Sequence, residues 1–465
     1  MLTRNQLPVA VPISSRPRGF LAGVRAMQRN ALALLPKIAF TQPIVSGHVV
    51  RRFHMVMDPP SLRRILKDAA EDYPKSEEAQ AMLRPALGNG IFLAEGAHWR
   101  WQRRAAMPVF APRNLTALTP VMTQAAEEAC VRVAKANGPL DMHAEMLQTA
   151  FEVIAAVSMS EDTAIPREVA HRAIDRYLET AGRASFLDIL QVPAVVPRPG
   201  RTVARFLIAE LRNAADAAVR ARMGREAADP PPLLDLLIGA SDPETGRTMS
   251  AEELRDNLLT FLVAGHETTA LALSWSLYLV GFDQEVQKKA SAEARKVLNG
   301  RAATAEDVPH LGYIRQIVQE AMRLYPPVAM LSRTATAHDK LRDREVRPGD
   351  VMLLPFYALH RNEGVWDRPD AFDPDRFADP KAIDRFAYLP FGAGPRVCLG
   401  MDFGLQEAVI VLATLLSRFR FNPVEGREPE PVMILSLRPG GGVWLQAEPL
   451  EPAAHDPSIV GAETA

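Results

Sequence analysis

Two short stretches carry side chains able to do chemistry. In FGAGPRVCLG, Phe391 to Gly400, Cys398 lies two residues after Arg396 and just ahead of a helix-forming run. The positive end of a helix dipole and the unpaired amides of its first turn favour a thiolate there, fit to be a nucleophile, a redox thiol or a metal ligand. One cysteine in a tight turn is more often a plain buried residue, so the neighbours must decide. Gly392 and Gly394 admit positive φ and close approach of something flat, and Pro395 stiffens the turn. In AGHETT, Ala264 to Thr269, a glycine costs about 1 kcal/mol relative to alanine, and Thr268 can turn its hydroxyl to the carbonyl one turn back. Local loosening of the helix is expected there, although Gly265 could serve close packing and Glu267 could simply be satisfied or solvated.

Two further blocks hold paired polar groups. EAMRLYPP sets Glu320 and Arg323 three apart on one helical face before a double proline, a spacing that most often gives a surface pair of little weight. HWRWQRR sets Trp99 and Arg103 four apart, and their N–H donors suit a carboxylate. Arg100 and Arg104 read as exposed charge, suited to the basic face that an acidic redox protein meets.

The elements that position these groups are mostly helical. Ser250 and Glu253 form a capping box, and the run they open has about 30 residues without proline, roughly 45 Å if continuous. A helix that long and apolar crosses the middle of a large domain. Helical periodicity dominates from Gly96 to about Leu298, broken at VPAVVPRPG and DPPP. The first 45 residues read as an irregular, proline-broken arm. SGHVVRRFHMVMDPPSLRRIL reads as two strands, a turn at Asp58-Pro59-Pro60 and a helix. LSRTATA and VMLLPF read as strands, with a turn at Arg347-Pro348-Gly349-Asp350, and LSLRPGGGVWLQ reads as a hairpin. The fold expected is mainly α with small β-sheets (α+β): an arm at 1–41, one domain at 42–450 and a disordered tail at 451–465. No linker divides it into the roughly three domains that length alone favours.

Composition narrows the function. The 54 Lys and Arg balance 55 Asp and Glu at a net charge of −1, so no basic field points to nucleic acid. Two cysteines, Cys130 and Cys398, make no disulfide framework and no zinc-like cluster, which fits a reducing cytoplasm. No apolar run reaches about 18 residues. The segment GFLAGVRAMQRNALALLPKIAF is broken by Arg25, Arg29 and Lys37 and reads as an amphipathic helix covering its own core, with peripheral membrane contact as the lesser reading.

Taken together, the blocks resemble those of the cytochrome P450 family, in that family's order and over nearly the whole chain. FGAGPRVCLG is similar to its haem-binding loop at Phe391, Gly392, Gly394, Arg396, Cys398 and Gly400. The resemblance implies haem b between the long central helix and the helix after the cysteine loop, with Cys398 as axial thiolate and Phe391 beside the sulfur. It assigns haem propionates to Arg396, Trp99, Arg103 and Arg333. It makes Glu320, Arg323 and the Arg376 of FDPDRF a buried supporting network, with Asp375 departing from the usual Glu. On the central helix it implies that Gly265 makes room for dioxygen beside Ala264, and that Glu267 and Thr268 deliver protons; His266 is not expected to bind metal. The implied activity is a monooxygenase acting on paired donors: one oxygen atom of dioxygen enters a C–H bond of a small hydrophobic substrate, whether fatty-acid-like, terpenoid, steroid or aromatic. Electrons are expected from NAD(P)H through a separate ferredoxin or flavodoxin with its reductase, because no length remains after GGVWLQ for a fused domain. Phe261, Ala264, Val328 to Leu331 and Met433 to Leu435 are pocket candidates, each equally suited to plain core. A peroxide-driven or lipid-rearranging enzyme is the alternative, and a haem sensor without turnover ranks lowest. The Glu267–Thr268 pair favours the dioxygen route.

Overall fold

Ser250 and Glu253 cap a helix reciprocally: Glu253 N–H donates to Ser250 Oγ at 3.3 Å, and Ser250 N–H donates to Glu253 Oε2 at 2.9 Å. The helix they open, α5 in the numbering below, spans Ala251–Phe282, 32 residues, and almost every side chain from Ala270 to Gly281 is buried. The structure is a computed structural model and describes residues 7–13, 20–48, 51–159, 173 and 199–451. The helices that matter for the site are α1 Gly96–Ala106, α2 Pro112–Lys135, α3 Met142–Ser158, α4 Pro199–Arg222, α5 Ala251–Phe282, α6 Gln284–Leu298, α7 Gly312–Leu324 and α8 Met401–Arg418.

α5 is the hub, packed against α3, α4, α7 and α8. At Gly265 a Cβ would lie 2.9 Å from Cδ1 of Ile154 on α3, so a side chain there would require the end of Ile154 to shift. Thr268 Oγ donates to the Ala264 carbonyl at 2.7 Å, yet the helix stays regular through AGHETT. The expected loosening is absent because helices packed around this segment hold it. One hydrophobic cluster runs from Val11 to Leu445, and a small satellite forms around Trp366, Phe377 and Ala387.

Strands β1 Ile44–His48, β2 Arg52–Val56, β3 Leu331–Thr334 and β4 Val351–Leu354 form one sheet in the order β1-β2-β4-β3. The β2–β4 pair is parallel and the other two are antiparallel. Later strands are β5 Phe419–Pro423, β6 Glu430–Met433, β7 Leu437–Gly440 and β8 Trp444–Pro449.

Three expectations need correction. Strands β7 and β8 do not form a hairpin: β7 pairs with β6, while β8 pairs with β5 and with Leu140–Asp141. Gly441 and Gly442, at φ of 83° and 84°, turn the chain from one sheet to the other, and a Cβ on Gly442 would strike the Asp141 carboxylate. Asp58 starts a helix rather than a turn, accepting from Ser61 N–H at 3.0 Å with prolines in the first helical turn, where their missing N–H is harmless. The first 45 residues are not irregular throughout: Phe20–Arg29 is a helix, followed by 3-10 turns at Ala31–Leu34 and Lys37–Phe40. Ahead of them the chain does lie extended over the body, its backbone gripped by tyrosines: Val9 N–H donates to Tyr278 and Val11 N–H to Tyr357, while Tyr325 donates to the Val9 carbonyl. VPAVVPRPG up to Arg198 and the tail beyond Glu451 lie outside the described residues.

Candidate functional site

The cysteine loop is built by its glycines. Gly392 and Gly394 both have φ near 69°. A Cβ on Gly394 would collide with the Leu66 carbonyl, so what approaches closely there is another backbone; at Gly392 the space is open. The turn is closed by Gly392 N–H to Leu389 O at 3.1 Å, Val397 N–H to Gly394 O at 3.1 Å and Cys398 N–H to Phe391 O at 3.0 Å. Cys398 is exposed, yet burial pushes its thiol up, against the pull of the Gly400 amide and the charge of Arg103. The expected preference for a thiolate is therefore not met by the protein alone: desolvation outweighs the helix start. The sulfur is thus reachable although protein surrounds it on most sides, a narrow opening.

The central helix passes beside that opening. A Cβ on Gly404 of α8 would lie 3.4 Å from Thr269 Oγ, so α5 and α8 touch six residues after Cys398. One turn earlier on α5, Ala264 is exposed although Leu262, His266 and Glu267 around it are buried. Gly265, by contrast, directs its missing side chain at Ile154.

At the edge of the opening sits a group of cations. Arg396 stacks on the Trp99 ring at 4.1 Å, donates to the Ala94 carbonyl at 2.8 Å and pairs closely with Glu95. Arg103 donates to the Val397 carbonyl at 2.8 Å, and buried Arg333 donates to Ser332 O at 2.8 Å. Lys75, whose backbone bridges that of Arg333, donates to Glu95 at 3.2 Å. Burial lowers the pKa of all four. Lys75 falls to about 7 and Arg396 to about 10, burial acting first in each, with mutual repulsion adding and Glu95 opposing. Four cations here share one carboxylate among the described residues. Such a shell lacks anionic charge and fits a flat group bearing two carboxylates, as haem b does. Lys75 and Glu95 were not read from the sequence: Glu95 looks like an ordinary helix N-cap but makes no cap bond. Arg104 is corrected: it is bound by Asp242 at 2.8 and 2.9 Å and is not free surface charge, while Arg100 pairs with exposed Glu71.

Behind the loop the second block is fully buried. Arg323 donates to both oxygens of Glu320 at 2.6 and 2.8 Å and to the carbonyls of His360, Pro369 and Ala371. Arg376 Nε lies 3.4 Å from Glu320 Oε1, while Asp375 faces outward to Lys289. His360 completes the assembly: Leu389 N–H, at the entry of the cysteine loop, donates to its Nε2 at 2.9 Å, so the ring proton sits on Nδ1 and is given to Arg323 O at 3.2 Å. Burial and the charge of Arg323 push this histidine down to about 3. Nothing in the sequence around His360 marks it.

Buried Glu267 is also held, by Ser436 Oγ at 2.6 Å and Arg438 Nε at 2.5 Å from the β6–β7 hairpin. His266 packs edge-on against Phe151.

A family model described as Cytochrome P450 matches residues 40–450. The chain belongs to the cytochrome P450 family. It is 33% identical over 395 residues to cyclooctatin synthase of Streptomyces melanosporofaciens, covering 84% of this chain and 85% of the relative. It is 34% identical over 351 residues to cyclooctat-9-en-7-ol 5-monooxygenase of the same organism, covering 74% and 75%. A putative cytochrome P450 132 of Mycobacterium tuberculosis is 32% identical over 416 residues, covering 85% and 87%. This P450 is thus a haem-dependent, oxygen-incorporating oxidoreductase with the mainly helical α+β fold of its family. No helix among its described residues is long and apolar enough to cross a membrane.

Proposed function

We propose that this P450 hydroxylates a C–H bond of a small hydrophobic, terpenoid-type substrate, with electrons from a separate ferredoxin or flavodoxin and its NAD(P)H-dependent reductase. The observation that carries the reading is the pair of openings, at Cys398 and at Ala264, beside a cation cluster short of anions. Arg103, Arg333, Arg396 and Lys75 would hold the propionates, with Trp99 supporting Arg396 by stacking. When bound, haem activates dioxygen and oxidises the C–H bond, and thiolate ligation favours O–O cleavage.

The chain supplies shape and protons. Half-buried Phe261, in edge contact with Phe110 at 5.3 Å, and half-buried Met330, Leu331 and Leu435 give an apolar lining suited to a substrate such as those in the relatives' names. Thr268 holds its hydroxyl proton on the Ala264 carbonyl and keeps its oxygen lone pairs available to an ordered water. Ser436 and Arg438 both hold Oε1 of Glu267, so they position this acid for moving a proton inward. The described residues form one core around the site, and the electron donor docks from outside it.

With a competent redox pair and a substrate identified by spin-state shift, Thr268→Ala should keep haem and a thiolate-type carbon monoxide band but divert most electrons from product to peroxide. Unchanged coupling would move the relay to another group. Cys398→Ala should lose both the band and hydroxylation, and their persistence would overturn the site.

A further inference from the structure

The charge balance of −1 conceals a strong asymmetry. No Asp or Glu precedes Asp58, so all 55 acidic residues lie at or after it, while Lys and Arg recur from Arg4 to Arg52. Arg25, Arg29 and Lys37 are exposed and have no carboxylate partner among the described residues. Beside them, Leu34 and Ile38 are 38% and 51% exposed. A Cβ on Gly23 would stand 4.0 Å from Leu34, so this leucine lies against the Phe20–Arg29 helix and shares a surface with it.

That surface is fixed to the body at its far end, where Glu363 N–H donates to the Phe40 carbonyl at 2.9 Å and Asn362 Nδ2 to the Ala39 carbonyl at 3.2 Å, and again at Asn30. Asn30 donates from Nδ2 to the Pro431 carbonyl at 2.8 Å and accepts from Met433 N–H at 3.2 Å, which clamps the segment to the β6–β7 hairpin. A basic segment with no acidic residue of its own and with exposed aliphatic side chains matches an anionic bilayer, with Glu363 and Glu430 only at its borders: the aliphatics enter the headgroup boundary and each cation is drawn to the surface potential. An acidic protein would match the charge alone and leave the exposed Leu34 and Ile38 unexplained.

We propose that residues 20–40 are a docking surface for a membrane containing anionic lipid, which sets the β6–β7 side of the protein against the bilayer. Docking of this kind is shallow and reversible, and it falls with ionic strength.

The test is co-sedimentation of the full-length haem-loaded protein with phosphatidylcholine vesicles, with and without phosphatidylglycerol. Binding should be at least about tenfold tighter with phosphatidylglycerol and released by about 0.5 M salt. Leu34→Glu with Ile38→Glu, and separately Arg25→Glu, Arg29→Glu and Lys37→Glu together, should each weaken binding by at least about tenfold. Circular dichroism and the carbon monoxide band should stay unchanged, so misfolding is read separately. Equal binding to both vesicle types, or full retention in both variants, would overturn the proposal. So would a surface that ignores both vesicles and binds an acidic ferredoxin in a way the triple variant abolishes. None of these outcomes depends on the identity of the substrate.

Discussion

Two clusters of arginine flank the cysteine loop, and they differ in how their charge is met. Behind it, Arg323 has a bidentate carboxylate and three carbonyls, and Arg376 closes on the same Glu320. In front, Lys75, Arg103, Arg333 and Arg396 share Glu95 and a few backbone carbonyls. The rear cluster is complete within the protein and therefore structural. The front cluster is incomplete within the protein, as the proposed propionate site requires. Residue type does not separate them, since both are arginine-rich and partly or wholly buried; the supply of anions does.

The sharpest way to break this contrast is to unbalance the rear cluster. Glu320→Gln leaves Arg323 buried without its anion and should cost about 3–5 kcal/mol of stability, seen in denaturant unfolding whether or not haem is present. A loss confined to the haem-loaded form would place Glu320 with the cradle instead.

Acid should act on the same cluster through His360. The unfolded chain takes up a proton near pH 6.5, whereas the buried ring refuses one until about 3. Stability should therefore fall as pH drops below 6.5 and go on falling toward 3, by about 2 kcal/mol at roughly pH 5. His360→Asn should flatten that slope; an unchanged slope would assign the acid sensitivity to other groups.

Removing a front cation should do the reverse of the first experiment. Arg333→Gln deletes a buried charge that no carboxylate contacts directly and that shares Glu95 only at a distance, so the apo-protein should be about as stable as before. Its affinity for metal-free protoporphyrin, followed by fluorescence, should drop by about tenfold, the scale of one charge-assisted contact. A destabilised apo-protein with unaltered porphyrin affinity would make Arg333 structural.

The sequence was most legible where local chemistry and neighbours agree. The Ser250–Glu253 box needs only a four-residue window, and it opens the helix where the pattern says. The Gly-rich loop and the Glu320–Arg323 pair were also visible, because positive φ and i,i+3 spacing are local properties. Strand partnership was not, since LSLRPGGGVWLQ carries alternation and turn residues for a hairpin and only the rest of the fold sends its halves to different sheets. His360, Lys75 and Glu95 were missed for a like reason: each acts across long sequence separations, and none stands in a local pattern. The thiol of Cys398 shows the same limit, because a helix start can be read from the sequence whereas the desolvation that overrides it cannot.

The β6–β7 hairpin has a practical consequence for anyone recombining this chain with its relatives. Met433 to Leu435 at its tip are where a designer would seek altered substrate preference, yet Ser436 and Arg438, one to three residues further on, grip Glu267. Exchanged as a cassette, the hairpin would transplant the partners of Glu267 along with the proposed pocket lining. Variation at the tip is safe for proton supply only when the two anchoring residues stay behind.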